Sequence, residues 1–244
     1  MNKGDMLLVN YTIVALEEGR ERVVDTTIES IAREAGIYDP NRTYREATIV
    51  YGKSPLLPAV EEALAEMSVG ERREIIAPPE KAYGERREDL VVRVPLKQLQ
   101  RLNIRPRVGE EIEIGGRRGV ISKITERFAY IDMNHPLAGK TLKITLEIMK
   151  KVETIEDKAR ILAARMLGLH YASVGAEYDG QSKTLKIILP QGVLGLTDLE
   201  ARLSAIAADI YEVLEPKKLL IIIEVEYPEK VEKREEASQP STQQ

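Results

Sequence analysis

The sequence predicts an α+β chain in three parts: an antiparallel sheet wrapped on a short helix, a small β-rich domain inserted into it, and a C-terminal α/β domain. Three observations carry this. Apolar and polar residues alternate in two stretches far apart in the chain, 5–16 and 140–152, which is the period of a half-buried strand. Between them, residues 55–67 place Leu57, Val60, Leu64 and Met67 on one helical stripe. From Thr154 onward helical and strand patterns alternate, and 244 residues is a length suited to two or three compact units.

In order along the chain, Leu7, Val9, Tyr11 and Ile13 share one face of the first strand, Gly19 turns, and Val23, Val24 and Asp25 begin the return. Thr26-x-x-Glu29 reads as a capping box for a short helix that stops at Gly36. A β-branched strand follows at 48–51, then the striped helix, then a strand over 71–77. Residues 90–94 read as strand, 96–102 as a short helix, and 111–114 with 120–124 as a hairpin turned by Gly115-Gly116. The strand over 140–152 is central, with Leu142, Ile144, Leu146 and Ile148 inward. The last domain reads α-β-β-α-β: a helix from Thr154 to Gly168, strands at 171–178 and 185–189 joined by Asp179-Gly180, a helix over 197–214 opened by Thr197-x-x-Glu200, and an apolar strand over 219–225. The boundaries are 1–84 with 135–153, 85–134, 154–228, and a charged, polar tail at 229–244 expected to be disordered.

Composition narrows the chemistry. The chain has no cysteine and only two histidines, which removes disulfides, thiol nucleophiles and thiolate metal sites. No metal or cofactor is expected. No apolar run reaches membrane-spanning length, and the N-terminus does not match a secretory signal. A cytoplasmic location with no membrane partner is therefore expected. The net charge of −4 argues against nucleic acid as the main partner.

Several stretches stand in a telling order: Tyr11-Thr12, Asp25, Gly52-Lys53-Ser54-Pro55-Leu56-Leu57-Pro58-Ala59-Val60-Glu61, Ala82-Tyr83-Gly84 and Thr141-Leu142-Lys143-Ile144. Together they resemble the FKBP family of peptidyl-prolyl cis/trans isomerases. Asn134-His135-Pro136-Leu137-Ala138-Gly139 and the roughly fifty residues inserted after Tyr83-Gly84 resemble the SlyD-type branch, with its insert-in-flap domain. The C-terminal domain looks like that of the long archaeal members. The resemblance covers about residues 1–153. Many bacterial SlyD proteins carry a metal-binding tail, whereas here no His-rich or Cys-bearing segment is present.

The resemblance implies a pocket lined by Tyr11, Asp25, Leu56, Leu57, Val60, Tyr83 and Ile144, bordered by Ala47, His135 and Leu137. Tyr83 would donate its hydroxyl to a substrate carbonyl, and Asp25 would accept hydrogen bonds rather than act as a base. Spacing alone would favour core packing for Leu57, Val60 and Ile144, which the resemblance reverses, and a turn-initiating role is the alternative for Asp25. Where many members have aromatic residues, this chain has Val60, Ala47 and Ile144, so a wider cavity and weak macrolide binding are expected. Prolyl rotation breaks no covalent bond, so such residues suffice: an apolar pocket disfavours the polar, planar amide relative to the twisted one.

The insert, residues 86–127, holds eleven Lys/Arg and six Asp/Glu, a local charge of +5. By resemblance it holds unfolded segments, for which Val91, Val94, Leu96, Leu99, Leu102 and Ile104 form an apolar set. The expected partners are unfolded or partly folded proteins with X-Pro bonds. Basic charge also attracts RNA, although scattered arginines more commonly mark a solvated face. The C-terminal domain is a candidate for pairing two chains into a homodimer. The rival reading is a non-enzymatic chaperone or ribosome-associated adaptor on the same scaffold.

Overall fold

The computed structural model describes residues 1–17 and 19–226. The expected disordered tail lies outside them. The chain divides into two compact units at Glu153/Thr154.

The first unit runs β1 (Met6–Glu17), β2 (Arg20–Thr26), α1 (Glu29–Glu34), β3 (Ala47–Val50), α2 (Pro58–Glu66), β4 (Arg72–Ala77), β5 (Val91–Pro95), α3 (Leu96–Arg101), β6 (Glu111–Ile114), β7 (Arg117–Ile124), β8 (Phe128–Asp132) and β9 (Thr141–Val152). Its main sheet is antiparallel in the order β2-β1-β9-β4, with β3 also on β1. β1 is long enough to be shared. β9 follows one side of it, while the other side takes β3 along Met6 to Val9 and β2 along Thr12 to Glu17.

A gap is left at Asn10 and Tyr11, and hydroxyls fill it. The Tyr11 N–H donates to Thr27 Oγ1 at 2.9 Å, and the Tyr11 carbonyl accepts from the Thr27 N–H and the Thr26 hydroxyl, each at 3.0 Å. Thr26 and Thr27 are buried, so these bonds satisfy backbone groups that would otherwise be orphaned away from water. They also explain why the capping box does not form. The Thr26 hydroxyl is engaged with β1, Glu29 pairs with Arg33 at 2.7 Å, and α1 starts after Ile28 with no side-chain cap.

α2 lies on the sheet. Pro58 occupies its first turn, where a missing N–H costs nothing, so the helix begins three residues later than expected, with Leu57 as its cap. Ala59, Val60, Ala63, Leu64 and Met67 pack against Leu7, Val9, Ile13, Leu142, Ile144, Leu146 and Ile148 in one core. The alternation expected along β9 is the observed one, with all four of its inward residues buried.

A second antiparallel sheet, β5-β8-β7-β6, has its own core of Val94, Leu99, Ile112, Ile121, Ala129 and Ile131. β8 was not anticipated from the sequence, yet it is a central strand here, paired to β5 and β7. Gly119 on β7 is required by contact: a Cβ there would lie 2.7 Å from Ile131 Cγ2 and 2.8 Å from the Asp132 carbonyl. Val94 and Leu99, expected in an exposed binding set, are buried at 5% and 0% exposure. A sheet this small needs their side chains for its core, so they are corrected to structural residues.

The chain leaves and re-enters the main sheet through two adjacent connectors. Asn134 grips Arg87 on both sides, accepting from its N–H and donating to its carbonyl at 2.9 Å each. Nearby, the Gly139 N–H donates to the Gly84 carbonyl at 2.8 Å, and Arg86 pairs with the nearly buried Asp132.

The second unit comprises α4 (Ile155–Leu167), β10 (Gly175–Asp179), β11 (Thr184–Pro190), α5 (Leu199–Leu214) and β12 (Lys218–Glu224). Thr154 caps α4 by accepting from the Asp157 N–H, and Gly168 ends it in the left-handed region. The sheet order is β10-β11-β12, antiparallel then parallel. Two expectations are corrected. Tyr171–Ser173 is a 3-10 turn rather than strand, because the His170 side chain accepts from the Ala172 N–H and caps it. α5 has no capping box, because Asp198 is left-handed and the helix starts at Leu199, too late for Thr197 to reach it. No helix among the described residues is long and apolar enough to cross a membrane.

Candidate active site

The expected pocket residues come from several separate parts of the first unit. Tyr11 rises from the gap in β1, and Ile144 projects from the middle of β9, its register partner being Ile13 on β1. Leu56 and Leu57 are delivered by the turn after β3, where Gly52 is left-handed and Ser54 accepts from the Val50 N–H at 2.9 Å. Val60 follows on α2. Tyr83 comes from the end of the Pro79–Lys81 3-10 turn, and left-handed Gly84 folds back so that its N–H donates to the Pro79 carbonyl at 2.8 Å.

Val60 and Ile144 belong to the buried core, and Tyr11, Leu56, Leu57, Tyr83 and Leu137 are half-buried against it. These seven residues share one apolar cluster. Ala47 opens β3 opposite Val9 and lies outside that cluster. His135 stacks on Tyr83 with ring centres 3.9 Å apart and planes 7° from parallel.

The polar edge is built on Asp25. The Tyr11 hydroxyl donates to Asp25 Oδ2 at 2.7 Å, and Arg42 donates to Oδ1 at 2.6 Å. Burial, reinforced by the hydrogen bond to and charge of Asp25, pushes the Tyr11 phenol up to about 12, so it remains a donor across the ordinary pH range. Tyr83 is raised too, by burial first and by the Asp25 charge second. Partial desolvation lowers His135. Its Nδ1 accepts from the Leu137 N–H at 3.2 Å, so the neutral ring carries its proton on Nε2.

Sequence reasoning missed Arg42. It stands in the irregular segment before β3, where periodicity carries no signal. A ladder of rings and guanidinium groups organises that segment: Arg33 lies 3.5 Å above Tyr38, Tyr38 stacks on Tyr44 at 5.5 Å, and Arg42 lies 5.3 Å from Tyr44. Such contacts are worth about 0.5–1 kcal/mol each at exposed sites. Here they deliver one cation to one carboxylate.

The arrangement is an apolar cluster with a fixed donor–acceptor pair at its edge and a second phenol, Tyr83, stacked on His135. It is suited to desolvating and gripping a polar, uncharged group. This is what a prolyl amide presents. Residues 1–100 match the model of the FKBP-type peptidyl-prolyl cis-trans isomerase family. A short-type peptidyl-prolyl cis-trans isomerase of Methanocaldococcus jannaschii is 36% identical over 148 residues, covering 61% of this chain and 92% of the relative. The FKBP-type isomerase SlyD of Pasteurella multocida is 35% identical over 112 residues, covering 44% of this chain and 56% of that protein. SlyD of Treponema pallidum is 32% identical over 120 residues, covering 48% and 68%. The chain belongs to the FKBP-type peptidyl-prolyl cis-trans isomerases.

Proposed function

We propose that this protein accelerates X-Pro isomerisation in folding chains through the Tyr11–Tyr83 cleft, and that the inserted sheet holds the client nearby. The observation that carries the first part is the meeting of Tyr11, Leu56, Leu57, Val60, Tyr83, Leu137 and Ile144 in one apolar cluster edged by Asp25. The amide barrier of about 18–20 kcal/mol comes from resonance that charges oxygen and nitrogen. Leu56 and Leu57, half-buried against the core that holds Val60 and Ile144, remove water around the prolyl ring, which costs the planar form more than the twisted one. The Tyr83 hydroxyl donates to a substrate carbonyl, and Asp25 holds Tyr11 in place. No proton is transferred.

Support for the second part is a set of exposed apolar side chains on the insert among cations: Leu102 at 56% and Val108 at 65%, beside Arg101, Arg105 and Arg107. Val91 and Leu96 are half-buried and contribute partially. A tethered holding surface raises the local concentration of prolyl bonds at the cleft.

Protease-free isomerisation of a proline tetrapeptide, followed for wild type, Tyr83→Ala and Asp25→Ala, tests the cleft. No acceleration above the uncatalysed rate in any of the three would favour the adaptor reading. Replacing residues 88–133 by a short turn, between the joined Arg87 and Asn134, tests the insert: catalysis of a proline-limited refolding reaction should collapse while tetrapeptide activity largely persists. Equal losses on both substrates would sink the division of labour.

A further inference from the structure

We propose that the outer face of the inserted sheet, β5-β8-β7-β6, binds single-stranded nucleic acid, stacking bases on Phe128 and Tyr130 and holding phosphates with Arg93, Lys123 and Arg127. The two faces of this sheet differ in kind. Along β8, Ala129 and Ile131 are fully buried in the insert's core, while Phe128 and Tyr130 alternate with them and are only half-buried. Successive side chains of a strand point to opposite faces, so both rings stand on the side away from that core. Cations are aligned on the same side. Tyr130 is the register partner of Arg93 on β5 and of Lys123 on β7, and residues opposite one another in an antiparallel pair share a face.

Lys123 reaches that position through a bulge. The register steps from Ile121 opposite Ile131 to Lys123 opposite Tyr130, and the hydroxyl of the intervening Ser122 donates to the Tyr130 carbonyl at 3.2 Å. An extra residue re-aims the side chains that follow it; in an unbroken ladder Lys123 would face the core beside Ala129. The Arg93 guanidinium lies 4.5 Å from the centre of the Phe128 ring, and the Lys123 ammonium 6.0 Å from that of Tyr130. Arg127 immediately precedes Phe128, and all three cations are exposed. Their charge selects the occupant. No ion pair among the described residues engages Arg93, Lys123 or Arg127, whereas Arg86, Arg87 and Arg118 of the same insert each meet a carboxylate. Exposed rings give unpaired bases a stacking surface, and cations beside them meet the flanking phosphates. A duplex hides its base faces and cannot use the rings. An unfolded polypeptide offers neither an anion nor a planar ring at every unit, so a strand of nucleotides fits this face better than a client does.

Binding at this face is independent of the cleft's chemistry. Fluorescence anisotropy of short labelled oligouridine and oligothymidine, titrated with the full chain, should show saturable binding. Raising salt about fourfold should weaken it about twentyfold, as release of ions from about three phosphates requires. Phe128→Leu and Tyr130→Leu keep an apolar side chain and remove the stacking surface; each should weaken binding about tenfold, while Tyr130→Phe should retain it. Arg93→Gln and Lys123→Gln should each weaken binding and flatten the salt dependence by about one phosphate. Far-UV circular dichroism and tetrapeptide turnover like those of wild type verify that each variant is folded. The tighter of the two single strands identifies the natural source as RNA or DNA. Absence of binding at low salt, wild-type affinity in both leucine variants, equal affinity for a duplex of the same length, or poly-L-glutamate bound as tightly as either oligonucleotide would each overturn the assignment.

Discussion

Tyr11 and Asp25 are joined by a 2.7 Å hydrogen bond between adjacent antiparallel strands, and Arg42 holds the other carboxylate oxygen. The acceptor is thus shared by a phenol from the sheet and a cation from a loop. Removing either donor leaves the carboxylate half satisfied, and the two changes differ in what else they disturb.

Tyr11→Phe keeps the ring against the core and deletes only the donor. A hydrogen bond to a charged group is worth roughly 1.5–3 kcal/mol, less here because Asp25 is partly exposed. Tetrapeptide activity should fall roughly tenfold, with the denaturant midpoint lowered modestly. Arg42→Ala should lower activity less and raise proteolytic cleavage between α1 and β3, since it also removes the end of the Tyr38–Tyr44 ladder. Activity equal to wild type in both variants would show that the carboxylate's surroundings are irrelevant to turnover.

The raised Tyr11 phenol makes stability depend on alkaline pH. Its folded value of about 12 lies above the unfolded value near 10, so the folded state binds the proton more tightly. Stability is fully present below about pH 10 and is lost as pH rises toward 12. Denaturant titrations over that window should show a steeper loss for wild type than for Tyr11→Phe. Parallel curves would contradict the assignment.

His135 has the opposite sign. Its folded value is depressed, so the unfolded chain binds a proton more readily. The contribution is present above the unfolded value and declines as pH falls through the folded one. Protonation at Nδ1 also ends the bond from the Leu137 N–H. Activity should drop on acidification below about pH 6.5, and His135→Asn should flatten that profile while keeping most activity at pH 8. An unchanged acid limb in the variant would refute the link.

Gly119→Ala tests the insert by crowding. The new methyl meets the Asp132 carbonyl, which is backbone and cannot swing aside. Overpacking of this kind costs about 1–3 kcal/mol. Hydrogen exchange should quicken in β7 and β8 first, and refolding catalysis should suffer before tetrapeptide activity does. Uniform protection across the first unit would count against an insert stabilised by its own core.

Much of the main sheet is written in periodicity, because β1 and β9 each bury one face and leave alternate residues to water. The site was legible only through motif resemblance; spacing alone cannot distinguish Val60 and Ile144 as cleft floor from ordinary core, and the structure has them in that core. Other features depended on competition for partners. Thr26 and Thr197 both head acceptable capping patterns, yet one hydroxyl is drawn to Tyr11 and the other helix starts a residue late. β8, with Phe128, Ala129 and Tyr130 ahead of Ile131, lacks clean alternation and becomes a strand by lying between two others. Val94 and Leu99 were misjudged because the same spacing describes an apolar surface and the inside of a very small domain.

The grip of Asn134 on Arg87 makes the insertion point a socket. Two crossings of the chain are held side by side by one amide, so a graft inherits a closed junction and adds little loop entropy to the host. Selection could therefore exchange what sits on the socket, from a short turn to a whole sheet, without redesigning the main sheet that carries it. Under the proposed division of labour, client range and turnover would then be separately evolvable properties of one polypeptide.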